Sequence, residues 1–409
     1  MTIQTKAPDI RFENFSGDWQ DKEIGSILAE TRRPVELLDN ELYQLVTVKR
    51  RNEGVVARAS LKGKDILVKN YFGIKSGDYL ISKRQVVHGA NGIVPESLDN
   101  AVVSNEYLVV TDSDEITAKF WTVISKRHQM HKLFFISSYG VDIEKLVFDV
   151  TDWKSRVITI PDITEQSAIT DYFRQLDGLI NQHQQKHDKL SNIKNAMLEK
   201  MFPKQGKTIP EIRFKGFSGE WMEVQFKSIA GVRRGLTYKP DDIAENGIIV
   251  LRSSNINVDR FELRKDDVQV NKNAVNINRV KNGDILITSA NGSSNLVGKH
   301  VVVCGLTVDA VHGGFMLLAE TDVPHFLNAS MNTYWYDRFR SMNVSGGNGA
   351  IGNIKGSALE EEYLYIPKKE EQIAIGNYFQ KLDALINQHQ QQIIKLNNIK
   401  QACLSKMFV

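Results

Sequence analysis

Catalytic signatures are what this 409-residue chain lacks. None of its nine prolines is adjacent to another, so the Asn-Pro-Pro-Tyr type of amino-methyltransferase loop cannot occur. No GxxxxGK followed by Ser or Thr is present, which argues against a built-in nucleotide-driven motor. No Cys/His cluster has zinc-ligand spacing, and the acidic residues are too scattered to suggest a paired-carboxylate nuclease. The only two cysteines, Cys304 and Cys403, fit no disulfide framework and point to a reducing cytoplasm. No apolar run reaches membrane-spanning length, and the opening MTIQTKAPDIRF has no basic-then-apolar signal pattern, so secretion and membrane insertion are not expected. Net charge is only +3, so any binding of nucleic acid must use local patches rather than a global field.

What the chain does contain, it contains twice. Residues 9–19 read DIRFENFSGDW and residues 211–221 read EIRFKGFSGEW. A longer pair runs from Ile160 to Phe202 and from Ile366 to Phe408, with roughly 60% of aligned positions identical, far beyond convergence on a helical pattern. Between the repeats lie segments of similar length and different sequence. Such a chain does one job twice, with two specificities.

The long repeats predict helices. Ile169, Phe173, Leu176, Ile180, His183, His187, Leu190, Lys194, Met197 and Met201 recur at spacings of four and three, and Ile375 to Met407 repeat the pattern. That is a coiled-coil seam, with extra apolar positions that widen the face beyond one mutual seam. Pro161 and Pro367 mark the helix starts. The intervening segments carry short β-branched runs separated by Gly, Asn and Asp turns, as strands do. GDYLIS at 77–82 falls opposite GDILIT at 283–288, at the offset of 206 that also aligns the helices. His183 and His389 are expected to form a polar layer that fixes helix register, and Trp19 and Trp221 to be packing anchors.

The IRFxxFSG openings ending in Asp-Trp or Glu-Trp, the IPxxxEQxxI helix starts and the variable–constant–variable–constant order resemble the specificity subunit of Type I restriction–modification enzymes. The resemblance covers essentially the whole chain. It implies an α+β fold: two β-rich target recognition domains in a pseudo-two-fold repeat, joined by two long helices forming an antiparallel coiled coil. The expected divisions are a first recognition domain with its N-terminal arm at 1–155, a spacer helix at 156–203, a second recognition domain at 204–365 and a second spacer helix at 366–409. It further implies a non-catalytic, cytoplasmic subunit that reads a bipartite, asymmetric double-stranded DNA target. Its implied partners are two methyltransferase subunits and endonuclease/translocase subunits. No cofactor or metal is expected on this chain; S-adenosylmethionine, ATP and Mg belong to the partners. One departure stands out. The second variable segment ends in SGGNGAIGNIKG, whereas the first ends in SSYGVDIEKLVF, without the glycine-rich turn.

Candidate DNA-contacting residues are polar and basic groups near predicted turns. In the first domain they are Lys49, Arg50, Arg51, Lys83, Arg84, His88 and Asn91. In the second they are Arg233, Arg234, Tyr238, Arg252, Ser253, Asn255, Ser289, Asn291, Ser293, Asn295 and Lys299. Arginine can grip guanine bidentately and asparagine adenine, while lysine mostly neutralises phosphate. The basic run Lys126–Lys132 reads instead as a solvated helix face or a phosphate contact. Candidate partner-binding residues are Phe173, Leu176, Leu179, Ile180 and Leu190 on the first helix, and Phe379, Leu382, Leu385, Ile386 and Leu396 on the second. Two other readings stay open from the residues alone: a portion of a fused restriction–methylation polypeptide, and a scaffold that binds protein rather than DNA.

Overall fold

The computed structural model describes residues 6–68, 70–257, 260–344 and 352–409. They form two compact units: unit 1 is Met1–His183 with Gln391–Val409, and unit 2 is Gln184–Gln390. The units do not follow chain order. Each takes one β-rich domain, the first half of the helix that follows it and the last half of the other helix. The glycine-rich stretch 345–351 lies outside the described residues.

Both β-rich domains are built on one sheet plan. In unit 1, strands β1 (Ala29–Glu30), β6 (Tyr107–Thr111), β3 (Tyr79–Ser82) and β4 (Asn91–Ile93) form an antiparallel sheet in that order. A second sheet pairs β2 (Leu42–Lys49) with β5 (Val102–Ser104) in parallel. In unit 2, β7 (Gly231–Arg234), β12 (Met316–Glu320), β9 (Ile285–Thr288) and β10 (His300–Val302) repeat the four-stranded order. There β8 (Ile243–Leu251) and β11 (Ala310–His312) repeat the parallel pair. The central strands β3 and β9 read YLIS and ILIT and are buried at every position, so both faces are covered.

The helices α1 (Ile163–Lys200) and α2 (Lys369–Lys406) are 38 residues each. Their starts explain the repeated strings. The Gln166 side chain donates to the Pro161 carbonyl at 3.0 Å, and Gln372 donates to that of Pro367 at 2.8 Å. The neighbouring Glu165 and Glu371 carboxylates, each 1% exposed, take bidentate hydrogen bonds from Arg11 and Arg213 of the IRF openings. Burying a carboxylate is costly unless it is paired and fully hydrogen-bonded, and the arginine fork supplies both. Just after each opening, a strand ties it to the helix start: Gln20–Glu23 pairs with Val157–Ile160, and Met222–Gln225 with Tyr363–Ile366. Trp19 and Trp221 are each 2% exposed, the anchors expected of them.

Within each unit the two helix halves run antiparallel. In unit 1 the seam lysine Lys400 pairs with Asp177, and Tyr172 lies 3.6 Å from Cys403. In unit 2 the equivalent Lys194 pairs with Asp383 at 2.8 Å. Both ion pairs join residues whose numbers add to 577, so a single antiparallel register holds at both places. The acidic partners Asp177 and Asp383 had no signature in the heptad pattern, which marks apolar positions only.

Candidate nucleic-acid interface

Strand direction decides where loops meet. Because β6 runs antiparallel to β1 and β3, the chain leaves β1 and β3 at the end where it enters β6. Because β2 and β5 are parallel and β5 leads directly into β6, the end of β2 points the same way. Four loops of unit 1 therefore converge: 31–33, 50–53, 83–90 and 105–106. Hydrogen bonds seal them together, with the Arg51 amide donating to the His88 carbonyl and the Asn52 amide to that of Gly89. Arg51 and Asn52 both have positive φ, near 60°, so the basic triplet turns sharply as it leaves β2.

This end of unit 1 is basic. Lys83 donates to the Asn105 carbonyl at 2.7 Å, and burial together with the nearby charge of Arg32 holds its pKa below the ordinary lysine value. Arg50 is held by Gln85 and Glu144, and Arg84 by Glu106. These are exposed pairs whose carboxylates a phosphate could replace at little cost. Arg32, Lys49 and Arg51 are exposed and have no carboxylate partner among the described residues. Arg32 escaped the sequence reading, although the Arg32–Arg33 doublet echoes Arg233–Arg234. Asn91 does not belong to the surface: it is 2% exposed on β4, and we correct its assignment as a DNA contact.

The same four loops converge in unit 2, as 235–240, 252–255, 289–299 and 313–315. The Leu236 amide donates to the His312 carbonyl and the Gly313 amide to that of Leu251. Such close approach needs glycine: a Cβ on Gly235 would lie 1.9 Å from the Gly313 carbonyl oxygen. Between the loops opens a cleft of about 590 Å³ lined by Tyr238, Arg252, Ser253, Asn291 and Phe315, among others. Asn291 donates to the Ser253 hydroxyl at 3.2 Å and accepts from the Ser293 amide at 3.0 Å. Ser293, Asn295 and Lys299 lie exposed on the same loops, and Arg234 is exposed at the end of β7 that leads into the first of them.

Three predicted contacts of unit 2 have other work. Asn255 is fully buried, bonded to Asp267, the Glu262 carbonyl and the Arg252 amide, and so shapes its loop from inside. Ser289 is 5% exposed, behind the Phe315 turn. Arg233 is drawn inward by Glu320 and the Asn278 carbonyl, just as Arg33 is by Asp78 in unit 1. Nor is the 126–132 run a solvated face throughout: Lys126 reaches Asp177 and the Arg127 guanidinium lies 4.4 Å above the Phe408 ring.

The helix residues divide as well. Phe173, Leu176, Phe379 and Leu382 are buried in the cores of their own units and offer nothing to a partner. Leu190 and Leu396 pack partly against those cores, and Ile180 and Ile386 are half-buried. Of the ten candidates, only Leu179 and Leu385, equivalent positions in the repeat, stand exposed, at 45% and 43%.

Beneath the second loop cluster, His312 is fully buried, its Nε2–H donating to the Arg233 carbonyl, and burial pushes its pKa down to about 4. The unfolded chain binds a proton near pH 6.5 that the folded one refuses until about pH 4, so stability falls as pH falls through that window. Acidification from pH 7 to pH 5 should cost unit 2 about 2 kcal/mol through this group. Denaturation midpoints across that range, compared with those of His312→Gln, check this; an unchanged slope in the variant would refute it.

Residues 218–398 match the Type I restriction modification DNA specificity domain. The Type I restriction enzyme EcoKI specificity subunit of Escherichia coli (strain K12) is 24% identical over 272 residues, 61% of this chain and 56% of that relative. The match thus spans little more than half of the relative's length. The crystal structure of the Type-I restriction-modification system S subunit from M. genitalium aligns over 98% of this chain and 99% of that one, with a TM-score of 0.62 and 14% identity. The HsdS subunit from Thermoanaerobacter tengcongensis aligns over 95% of this chain and 96% of that one, with a TM-score of 0.44 and 14% identity. The M. genitalium likeness establishes the fold along nearly the whole length. The matched specificity domain takes in the second sheet plan and most of α2, and the first half repeats both. Over its second half the chain is thus similar to the Type I restriction modification DNA specificity domain, and over nearly its whole length it has the fold of the M. genitalium S subunit.

Proposed function

We propose that this chain reads double-stranded DNA at two half-sites, one per loop cluster, and presents that target to catalytic partners. The carrying observation is that the same four loops converge in both units on one sheet plan while bearing different side chains. Unit 1 offers a basic surface of Arg32, Lys49, Arg51 and Lys83; unit 2 offers a cleft in which Arg252, Asn291 and an aromatic ring sit together. Phosphate contacts position a protein on DNA and base-edge contacts specify sequence, so unlike side chains on like scaffolds give unlike half-sites. The chain itself performs no chemistry in this reading. Two methyltransferase subunits dock on the helices around Leu179 and Leu385, with S-adenosylmethionine as methyl donor, and endonuclease/translocase subunits use ATP and Mg.

Replacing residues 222–365 by the corresponding segment of a related subunit should change one half of the methylated sequence and leave the other intact. The cuts fall side by side at one end of the antiparallel strand pair that closes the unit 2 domain, so the graft is a structural unit. Sequencing of methylated adenines in a host carrying the chimera and its methyltransferase partner gives the answer. Simultaneous change of both halves would sink the two-reader model, and absence of any sequence-specific methylation with the native chain would sink the reading as a whole.

A further inference from the structure

The unit 2 cleft holds a feature that phosphate binding does not explain. Phe315, at the turn between β11 and β12, is 68% exposed, although its backbone is hydrogen-bonded into the neighbouring loop. Its carbonyl accepts the amides of both Ser289 and Ala290, at 2.9 and 3.1 Å, and the Met316 amide closes the turn onto Gly313 at 2.8 Å. Gly314 lets the turn lie against Thr237 and Leu236. A rigid turn thus presents a phenyl ring to solvent beside the polar groups of Arg252, Ser253 and Asn291. Arg252 forms no salt bridge among the described residues, although its charge helps hold the Asp266 carboxyl below the ordinary value. Asn291, after its two bonds, keeps one N–H and one lone pair for a ligand. In unit 1 the equivalent turn is Asn105–Glu106, with no aromatic group.

We infer that Phe315 is a specificity-determining residue of the second half-site, packing on the 5-methyl group of a thymine while Arg252 and Asn291 read neighbouring base edges in the major groove. This rests on the DNA-reading function proposed above. The major-groove edge of B-DNA carries one apolar group, the thymine methyl, and arginine and asparagine suit the acceptors and donors beside it. Because the turn's backbone is already fixed, docking has only the ring's two side-chain torsions to order, a smaller entropy cost than ordering a mobile loop.

The test uses the full chain assembled with its methyltransferase partner. The second half-site is taken as the one altered by exchange of residues 222–365, and duplexes carry deoxyuridine in place of each of its thymines in turn. One substitution should weaken binding about fourfold, the worth of one buried methyl. Phe315→Ala should bind the thymine and uracil duplexes alike, and Phe315→Leu should recover part of the discrimination. Because the ring is exposed, both variants should melt as the native chain does. Three results overturn the assignment: a second half-site without an A·T pair, a native complex indifferent to every uracil, or a Phe315→Ala complex that still discriminates. Loss of sequence-specific binding by the native complex would instead overturn the DNA-reading function itself.

Discussion

Truncating Phe408 to alanine should destabilise unit 1 by about 3–5 kcal/mol, the range for a large aromatic removed from a packed core. Phe408 is 5% exposed and meets Trp19 edge-on, with ring centroids 5.8 Å apart, and also meets Phe120 and Phe173. Arg127 lies over its face. These neighbours come from the repeated opening, the β-rich domain and α1, so a single side chain at the end of α2 joins three separate parts of the unit. Phe202 does the same in unit 2, at 4% exposure, against Trp221, Phe326 and Phe379. Phe408 should matter more, because the cation over its ring has no counterpart at Phe202: the position equivalent to Arg127 is Thr333. Hydrogen exchange resolved by segment is the suitable measurement. Phe408→Ala should lose protection across residues 118–124 and the end of α2, and Phe202→Ala across 324–330 and the start of α2. Equal loss in both units from either variant would show that the helix ends are not anchors of their own units.

Much of this arrangement was legible in the sequence, for identifiable reasons. The helices were legible because a 38-residue amphipathic repeat needs no distant information, and the anchoring tryptophans because they recur at the same place in each opening. The recognition loops were legible as a class, since they sit between β-branched runs and are rich in Gly, Asn and Ser. Which side chain on such a loop faces outward was not. Asn255 and Asn291 look alike locally, yet Asn255 is buried because Asp267, twelve residues away, takes its amide. Arg233 and Arg234 also look alike, yet Glu320, on a neighbouring strand, and the Asn278 carbonyl hold only Arg233. Phe315 has no surface signature in the sequence, since an aromatic residue beside a strand reads as core; its ring lies outside in a turn whose backbone pairs with Ser289 and Ala290. In each case the deciding partner is set by tertiary packing.

Lengthening both helices together should move the two half-targets apart without changing either. Four residues add about 6 Å at ~1.5 Å per residue and return nearly to the same helix face. B-DNA rises ~3.4 Å per base pair, so the unread spacer should grow by one or two pairs. The place of insertion follows from the ion pairs. Their common sum of 577 sets Asp188 of α1 opposite His389 of α2, both within unit 2. An insertion after Asp188 alone lengthens one strand of the seam and throws Lys194 out of register with Asp383 by about one turn. That single insertion should reduce stability and activity without giving a clean change of spacing. A matched insertion, four residues after Asp188 and four at His389, keeps Lys194 opposite Asp383 and Lys400 opposite Asp177. Methylation mapping of the matched variant is then decisive. The original half-sites at a longer spacing would identify the helix pair as the element that measures distance. An active matched variant that keeps the original spacing would show that the distance is set elsewhere.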